Sequence, residues 1–309
     1  MVRPGARSLA TVATYLDGLD GVEVVEHDQC DGPGFERLLG ELRPDEIYNL
    51  AGFTSVGASW DHAELVAETN GIAVLRILET LVRYRDRHGT APRYFQPSSS
   101  EMFGTADHMP QTETTPHHPR SPYATSKSFA HHLTVNYRES YGLFTSTATL
   151  YNHESPLRPQ KFVTRKISRA VAEIALGRRE TVTLGNLDVR RDWGFAGDYV
   201  RAMHLMLQQD SPTDFIIATG RSHALSDLLR VAFATVGIHD PTPHVEQDPA
   251  FMRRADVADL YGDPTKAREQ LGWAPTVDFE QIVEHMVLTD VRRLESGVED
   301  SVDYLWPPS

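Results

Sequence analysis

Cysteine is almost missing from this chain: Cys30 stands alone among 309 residues, which excludes an internal disulfide and suits a reducing cytoplasm. Long apolar runs are missing too, so no segment reads as a transmembrane helix, and Met1-Val-Arg-Pro-Gly5 is not a secretory signal. Cations are scarce. Thirty Lys and Arg face 43 Asp and Glu, a net charge of -13, which argues against nucleic acid as a partner. A small phosphate ligand stays open, because a pocket needs only a few local cations. The fourteen histidines lack paired metal-ligand spacing. His117-His118 and His131-His132 are neighbours in sequence, not the i, i+4 arrangement that puts two imidazoles on one helix face. They read as packing or solvent histidines, with no metal expected.

One more absence concerns glycine. A dinucleotide-binding βαβ unit opens with a strand, a Gly-rich turn and a helix whose N-terminus receives the pyrophosphate. Gly5, Gly18 and Gly21 lack that spacing, and no apolar strand precedes them. From Val22 onward the chain is nevertheless α/β in rhythm. Val22-Glu-Val-Val-Glu-His27 reads as a strand and Phe35 to Leu42 as a short amphipathic helix with Leu38 and Leu39 inward. Glu46 to Gly52 reads as a strand ending in small residues that let backbone approach a ligand. Glu64 to Tyr84 reads as a long helix with Val66, Ile72, Leu75, Leu78 and Leu81 buried. Arg93 to Ser98 and Thr145 to Tyr151 are further strands, Phe162 to Leu176 a helix, and Thr181 to Asn186 a strand and turn. Asp263-Pro264 starts a helix that Gly272 stops.

The chemistry concentrates in Pro119-Arg-Ser-Pro-Tyr-Ala-Thr-Ser-Lys127 and in Ser98-Ser-Ser-Glu101 just upstream. Ser121 and Pro122 form a helix start, a hydroxyl cap followed by a proline at the first helical position. Tyr123 and Lys127, four residues apart, then share one helix face, and an ammonium beside a phenol favours the phenolate. Tyr-x-x-x-Lys also arises by chance in ordinary helices. Its neighbourhood sharpens it, because Ser99, Ser100 and Glu101 stand at the carboxyl end of a strand, where open α/β sheets bind ligands.

Taken in order, several motifs resemble the GDP-mannose 4,6-dehydratases, extended short-chain dehydrogenase/reductases. They are Ser-Ser-Glu-Met-Phe-Gly104, Pro-Arg-Ser-Pro-Tyr-Ala-x-Ser-Lys127, Val135-Asn-Tyr-Arg-Glu-Ser-Tyr-Gly142, Asn152-His-Glu-Ser-Pro156, Phe162-Val-Thr-Arg-Lys-Ile167, Arg191-Asp-Trp-Gly194 and Gly262-Asp-Pro-Thr-Lys-Ala267. The resemblance runs from about Val22 to about Trp273. It implies a Rossmann-like, doubly wound parallel sheet, lacking its first strand and helix, with a smaller substrate-binding lobe. Residues 1–160 would form the NADP-binding domain, and residues 161–309 mainly the substrate lobe, with returns to the first domain. Val2-Arg3 resembles the end of the family's second strand, so the chain is expected to begin about one strand and one helix into the unit.

The resemblance also implies roles. Ser99, Glu101, Tyr123 and Lys127 would be catalytic. Arg3, Asp28, Gln29, Leu50, Ala51, Gly52, Phe53, Thr54, His153 and Arg158, together with Tyr123 and Lys127, would hold NADP. Asn152, Val163, Lys166, Arg191 and Arg253 would hold GDP-mannose. Tyr123 would take the C4 hydroxyl proton, Ser99 would steady the C4 oxygen, and Glu101 would drive loss of water between C5 and C6. Departures from the family pattern are Leu65 for tyrosine, Ser99 for threonine, Leu157 for arginine and Arg254 for proline. Two other readings remain: an epimerase or reductase of another nucleotide sugar, and a noncatalytic nucleotide-sugar-binding fragment. A cytoplasmic homo-oligomer, dimer or tetramer, with no membrane and no nucleic acid partner, completes the expectation.

Overall fold

The computed structural model describes Tyr15, residues 21–251 and residues 257–307. Its strands are β1 (Glu46–Tyr48), β2 (Arg93–Ser99), β3 (Thr145–Leu150), β4 (Asn152–Glu154), β5 (Val182–Leu184), β6 (Arg190–Arg191), β7 (Trp193–Phe195), β8 (Phe215–Ile217), β9 (His223–Ala224), β10 (Val245–Gln247) and β11 (Asp259–Leu260). The main helices are α1 (Gly32–Leu42), α2 (Ala63–Ala67), α3 (Ala73–His88), α4 (Pro122–Tyr141), α5 (Val163–Ala175), α6 (Ala196–Leu207), α7 (Leu225–Thr235), α8 (Thr265–Leu271) and α9 (Phe279–Ser296).

The largest sheet is parallel, in the order β1-β2-β3-β8. Side chains alternate across it, and adjacent Tyr94 and Phe95 on β2 enter different cores. Tyr94 packs with Leu78 and Leu81 of α3 and Ala130 of α4. Phe95 packs with Met203 and Met206 of α6, Phe215 of β8 and Trp273 beyond α8. With both faces covered, the inner strands are buried along nearly their whole length, as a parallel sheet requires. A further core lies among α5, α7 and α9, where Ile167, Val171, Leu228, Phe279 and Val283 meet Val182, Leu184 and Trp193. Three small sheets surround it: β4 with β7, β5 with β10, and β6 between β9 and β11.

Two expectations change. Residues 22–27, expected as a strand, run as irregular chain, with Val22 and Val24 about half exposed. Alternating valines favour extension, but a strand exists only where a neighbour completes its hydrogen-bond ladder, and none does so among the described residues. The long helix after β1 is also not uniform. Between α2 and α3 a π turn at Glu68–Ile72 inserts a wider step, which rotates the following face. The buried set becomes Val66, Asn70, Gly71, Ala73, Val74, Ile77, Leu78, Thr80 and Leu81, while Ile72 and Leu75 are only half-buried.

Among the described residues no helix is long and apolar enough to cross a membrane. His117, His131 and His132 pack against one another, their ring centroids 5.0 to 5.4 Å apart.

Candidate active site

Ser121 caps α4 with its side-chain oxygen, accepting from Ala124 N at 3.1 Å, and Pro122 occupies the first turn. Such a cap contributes about 1 kcal/mol and fixes where the helix begins. Tyr123 and Lys127 therefore face the carboxyl end of β2 from the opening turns of α4. Lys127 is buried, donates Nζ to the Pro97 carbonyl at 3.0 Å, and lies 6.0 Å from the centroid of the Tyr123 ring. Burial lowers its pKa to about 8.

β2 ends at Ser99, whose Oγ accepts from the Glu101 amide at 3.3 Å and so caps the short turn Ser100–Met102. Gly104 closes this turn at φ 55°, a left-handed conformation suited to glycine. A Cβ there would strike the carbonyl oxygen of His118, whose own amide donates to Met102 O at 2.9 Å. The turn carrying Glu101 and the approach to Tyr123 are thus in direct contact.

Four influences act on the Tyr123 phenol. Burial pushes its pKa up to about 12, a hydrogen bond from Ser99 favours the phenolate, the Glu101 carboxylate opposes it, and the Arg158 guanidinium favours it. Sequence reasoning assigned the helpful cation to Lys127 alone. Here burial is the largest influence, and the Arg158 guanidinium, brought in by the loop after β4, also acts to lower the phenol. Arg158 pairs with buried Glu154 at 3.2 Å and stacks on the Phe162 ring at 3.8 Å.

His153 lies on β4, just before the loop that carries Arg158, whose charge also acts on it. Its Nδ1 donates to the Tyr151 carbonyl at 2.9 Å, and its ring stacks on Tyr199 at 4.8 Å. Burial lowers its pKa to about 4, so near neutral pH the ring is uncharged and Nε2 is an acceptor.

The two candidate cofactor segments at the other side of β1 converge on the π turn. Gln29 Nε2 donates to Thr69 O at 3.1 Å, while Gln29 Oε1 is buried without a partner. Asp28 accepts from the Cys30 amide at 3.0 Å. Asn70 grips Phe53 like a strand neighbour, accepting from its amide at 2.8 Å and donating to its carbonyl at 2.9 Å. Leu50, Gly52 and Thr54 are exposed, and Ala51 is half-buried. An orphaned buried acceptor, open backbone past a strand end and a neutral imidazole suit a nicotinamide dinucleotide; Gln29 Oε1 matches an exocyclic amino donor. Asn70 was not singled out from sequence. Its signal was a polar residue inside an apolar helical period.

On the far side, Val163 and Lys166 occupy the first turn of α5, and Asn152 on β4 is half-exposed. Lys166 Nζ donates to Thr183 O at 2.6 Å and lies 4.2 Å from the Phe251 ring, and burial lowers its pKa. Arg191 on β6 is buried, donating Nη1 to the carbonyls of Arg190 and Val257 at 2.7 Å each. Arg3 and Arg253 lie outside the described residues. Glu154 and Arg165 also escaped sequence reasoning, since only the fold shows which backbone they hold. Arg165 Nη1 donates to the carbonyls of Pro156 at 2.7 Å and Arg158 at 3.1 Å, and its guanidinium pairs with buried Asp290 at 2.6 Å.

The sequence model of the family described as GDP-mannose 4,6 dehydratase matches residues 8–286. GDP-mannose 4,6 dehydratase 1 of Arabidopsis thaliana is 47% identical over 264 residues, covering 85% of this chain and 73% of that protein. The human GDP-mannose 4,6 dehydratase is 41% identical over 286 residues, covering 87% and 76%. Among solved structures, DesIV, a dTDP-glucose 4,6-dehydratase from Streptomyces venezuelae with NAD and TYD bound, superposes with a TM-score of 0.78 at 24% identity, covering 91% of this chain and 84% of that one. RMD from Pseudomonas aeruginosa, complexed with NADPH, gives 0.77 at 23% identity and 87% coverage of each chain. These likenesses carry the Rossmann-like fold.

Proposed function

The chain belongs to the GDP-mannose 4,6-dehydratase family, and from that premise we propose that it is a lyase converting GDP-mannose to GDP-4-dehydro-6-deoxy-mannose with NADP as its cofactor. When bound, the nicotinamide would accept a hydride from sugar C4 and return it to C6. The remaining work belongs to this chain. Tyr123 takes the proton of the C4 hydroxyl, and Ser99, already hydrogen-bonded to the phenol, steadies the charge that develops there. The resulting ketone makes the C5 hydrogen acidic. Glu101 removes it and protonates the departing C6 hydroxyl, which leaves as water. The proton taken up by Tyr123 balances the one that C5 regains.

Lys127 fixes the depth of Tyr123 by anchoring α4 to the Pro97 carbonyl. Arg158 lowers the cost of the phenolate, and neutral His153 offers Nε2 to a donor on the cofactor. Gln29 and residues 50–54 would run along the dinucleotide. Asn152, Val163 and Lys166 would hold the guanosine side, and Arg191 with Arg253 the diphosphate, where guanidinium matches phosphate oxygens in pairs. Residues 1–160 would serve as the cofactor domain and residues 161–309 mainly as the substrate lobe, in a cytoplasmic homo-oligomer.

The observation that carries this reading is that Glu101 sits on the turn at the carboxyl end of β2, capped by Ser99 and held by the His118 amide against the segment leading to Tyr123. A simple dehydrogenase needs no carboxylate at that point, whereas elimination does. The test supplies GDP-mannose and NADP to the purified chain in heavy water and follows the product by mass spectrometry and proton NMR. A product lighter by one water, carrying solvent deuterium at C5, is expected. Turnover without loss of water would overturn the proposal in favour of an epimerase or a reductase. Calorimetry with NADP and NAD separately decides the cofactor, and light scattering decides the oligomer.

A further inference from the structure

Glu154 sits in the middle of Asn152-His-Glu-Ser-Pro156, yet it is buried where its strand neighbours Asn152 and His153 are only half-buried. Burial raises its pKa, and a carboxylate is kept there only where partners compensate. It has two. Thr164 Oγ1, from the first turn of α5, donates to Glu154 Oε2 at 2.8 Å, and the same oxygen lies 3.2 Å from Arg158 Nε. That Nε is buried and makes no aligned hydrogen bond, so the guanidinium is held by charge and by the Phe162 ring rather than by a directed donor. Its backbone is fixed independently, through Arg165.

We propose that Glu154 is a positioning residue for the reaction: its carboxylate, aimed by Thr164, holds the Arg158 guanidinium over Phe162, where its charge reaches Tyr123 and His153. The contribution passes entirely through Arg158. Without the carboxylate charge the guanidinium, already a quarter exposed at its side chain, turns toward solvent, and the phenol and imidazole lose their cation. Thr164 adjoins Val163, so the turn of α5 assigned to the guanosine also sets the cation beside the reacting centre.

The inference rests on the dehydratase reading for its kinetic arm, and a second arm does not. In the kinetic arm, Glu154→Gln, which keeps the shape and the Thr164 contact, lowers kcat by roughly 10²-fold, the scale of an ångström misplacement near a reacting centre. Thr164→Val, which leaves the charge but removes its aim, gives a smaller loss in the same direction and serves if the first variant folds poorly. In an Arg158→Ala background neither change costs anything further. Equal losses in both backgrounds would overturn the proposal, since Glu154 would then act on the fold generally. In the second arm, the buried Arg158 Nε–H is followed by NMR, assigned through Arg158→Lys. It gives a separate, slowly exchanging signal in the parent and loses it in Glu154→Gln; an unchanged signal also overturns the proposal. If the parent does not dehydrate GDP-mannose, the functional reading fails and the NMR arm still decides the positioning role.

Discussion

Gly104→Ala is the change that most directly strains the site, and its size can be worked from local geometry. At φ 55° a residue with a Cβ incurs about 1–2 kcal/mol from the left-handed conformation alone. The new methyl would also meet the His118 carbonyl, a backbone atom that cannot rotate away, and overpacking of that kind adds about 1–3 kcal/mol. The total is about 2–5 kcal/mol. Gly142→Ala is the matched control: φ is 66° and nothing lies within 4 Å of the added carbon, so it carries the first contribution without the second. Relief at Gly104 must move either the Glu101 turn or the segment leading to Tyr123, parting two members of the candidate site. Urea unfolding and steady-state turnover of both variants give the comparison. Gly104→Ala should be the less stable by about 1–3 kcal/mol and should lose roughly 10²-fold in kcat, while Gly142→Ala keeps its turnover. Equal stability and equal turnover would show that the turn yields without cost and that Glu101 is not rigidly held.

Glu101→Gln should stall elimination by roughly 10²–10⁴-fold while oxidation at C4 continues, so reduced nicotinamide should accumulate in a rapid-mixing absorbance trace; normal turnover would remove the carboxylate from the mechanism. Asn70→Asp replaces a donor facing the Phe53 carbonyl with a charge, and should cost about 1–3 kcal/mol and weaken NADP binding in calorimetry. His117, His131, His153 and His285 are each held near pKa 4 by burial, below the usual 6.5, so the unfolded chain binds more protons between these values. Stability is therefore full above about pH 6.5 and lost as pH falls toward 4. His131→Gln should flatten that slope in urea titrations at stepped pH, and an unchanged slope would remove His131 from the account.

Much of the fold was legible because its signals are local. Ser121 and Pro122 announce the start of α4, so the side-by-side placement of Tyr123 and Lys127 followed from helical spacing alone. Ser99 and Glu101 were legible as a strand-end pair. Residues 22–27 were misread because alternation reports only willingness to extend. A ladder needs a second strand, and no sequence window contains it.

The chain's order of residues thus marked which groups were candidates for chemistry, where α4 begins, and which family the protein joins. Folding alone settled what those groups feel. Arg158 became the cation of Tyr123, Asn70 the clamp of Phe53 and Glu154 the anchor of Arg158 through contacts between separate elements. Burial, which raised Tyr123 and lowered Lys127, is a property of everything packed around a side chain, and no spacing along the backbone encodes it.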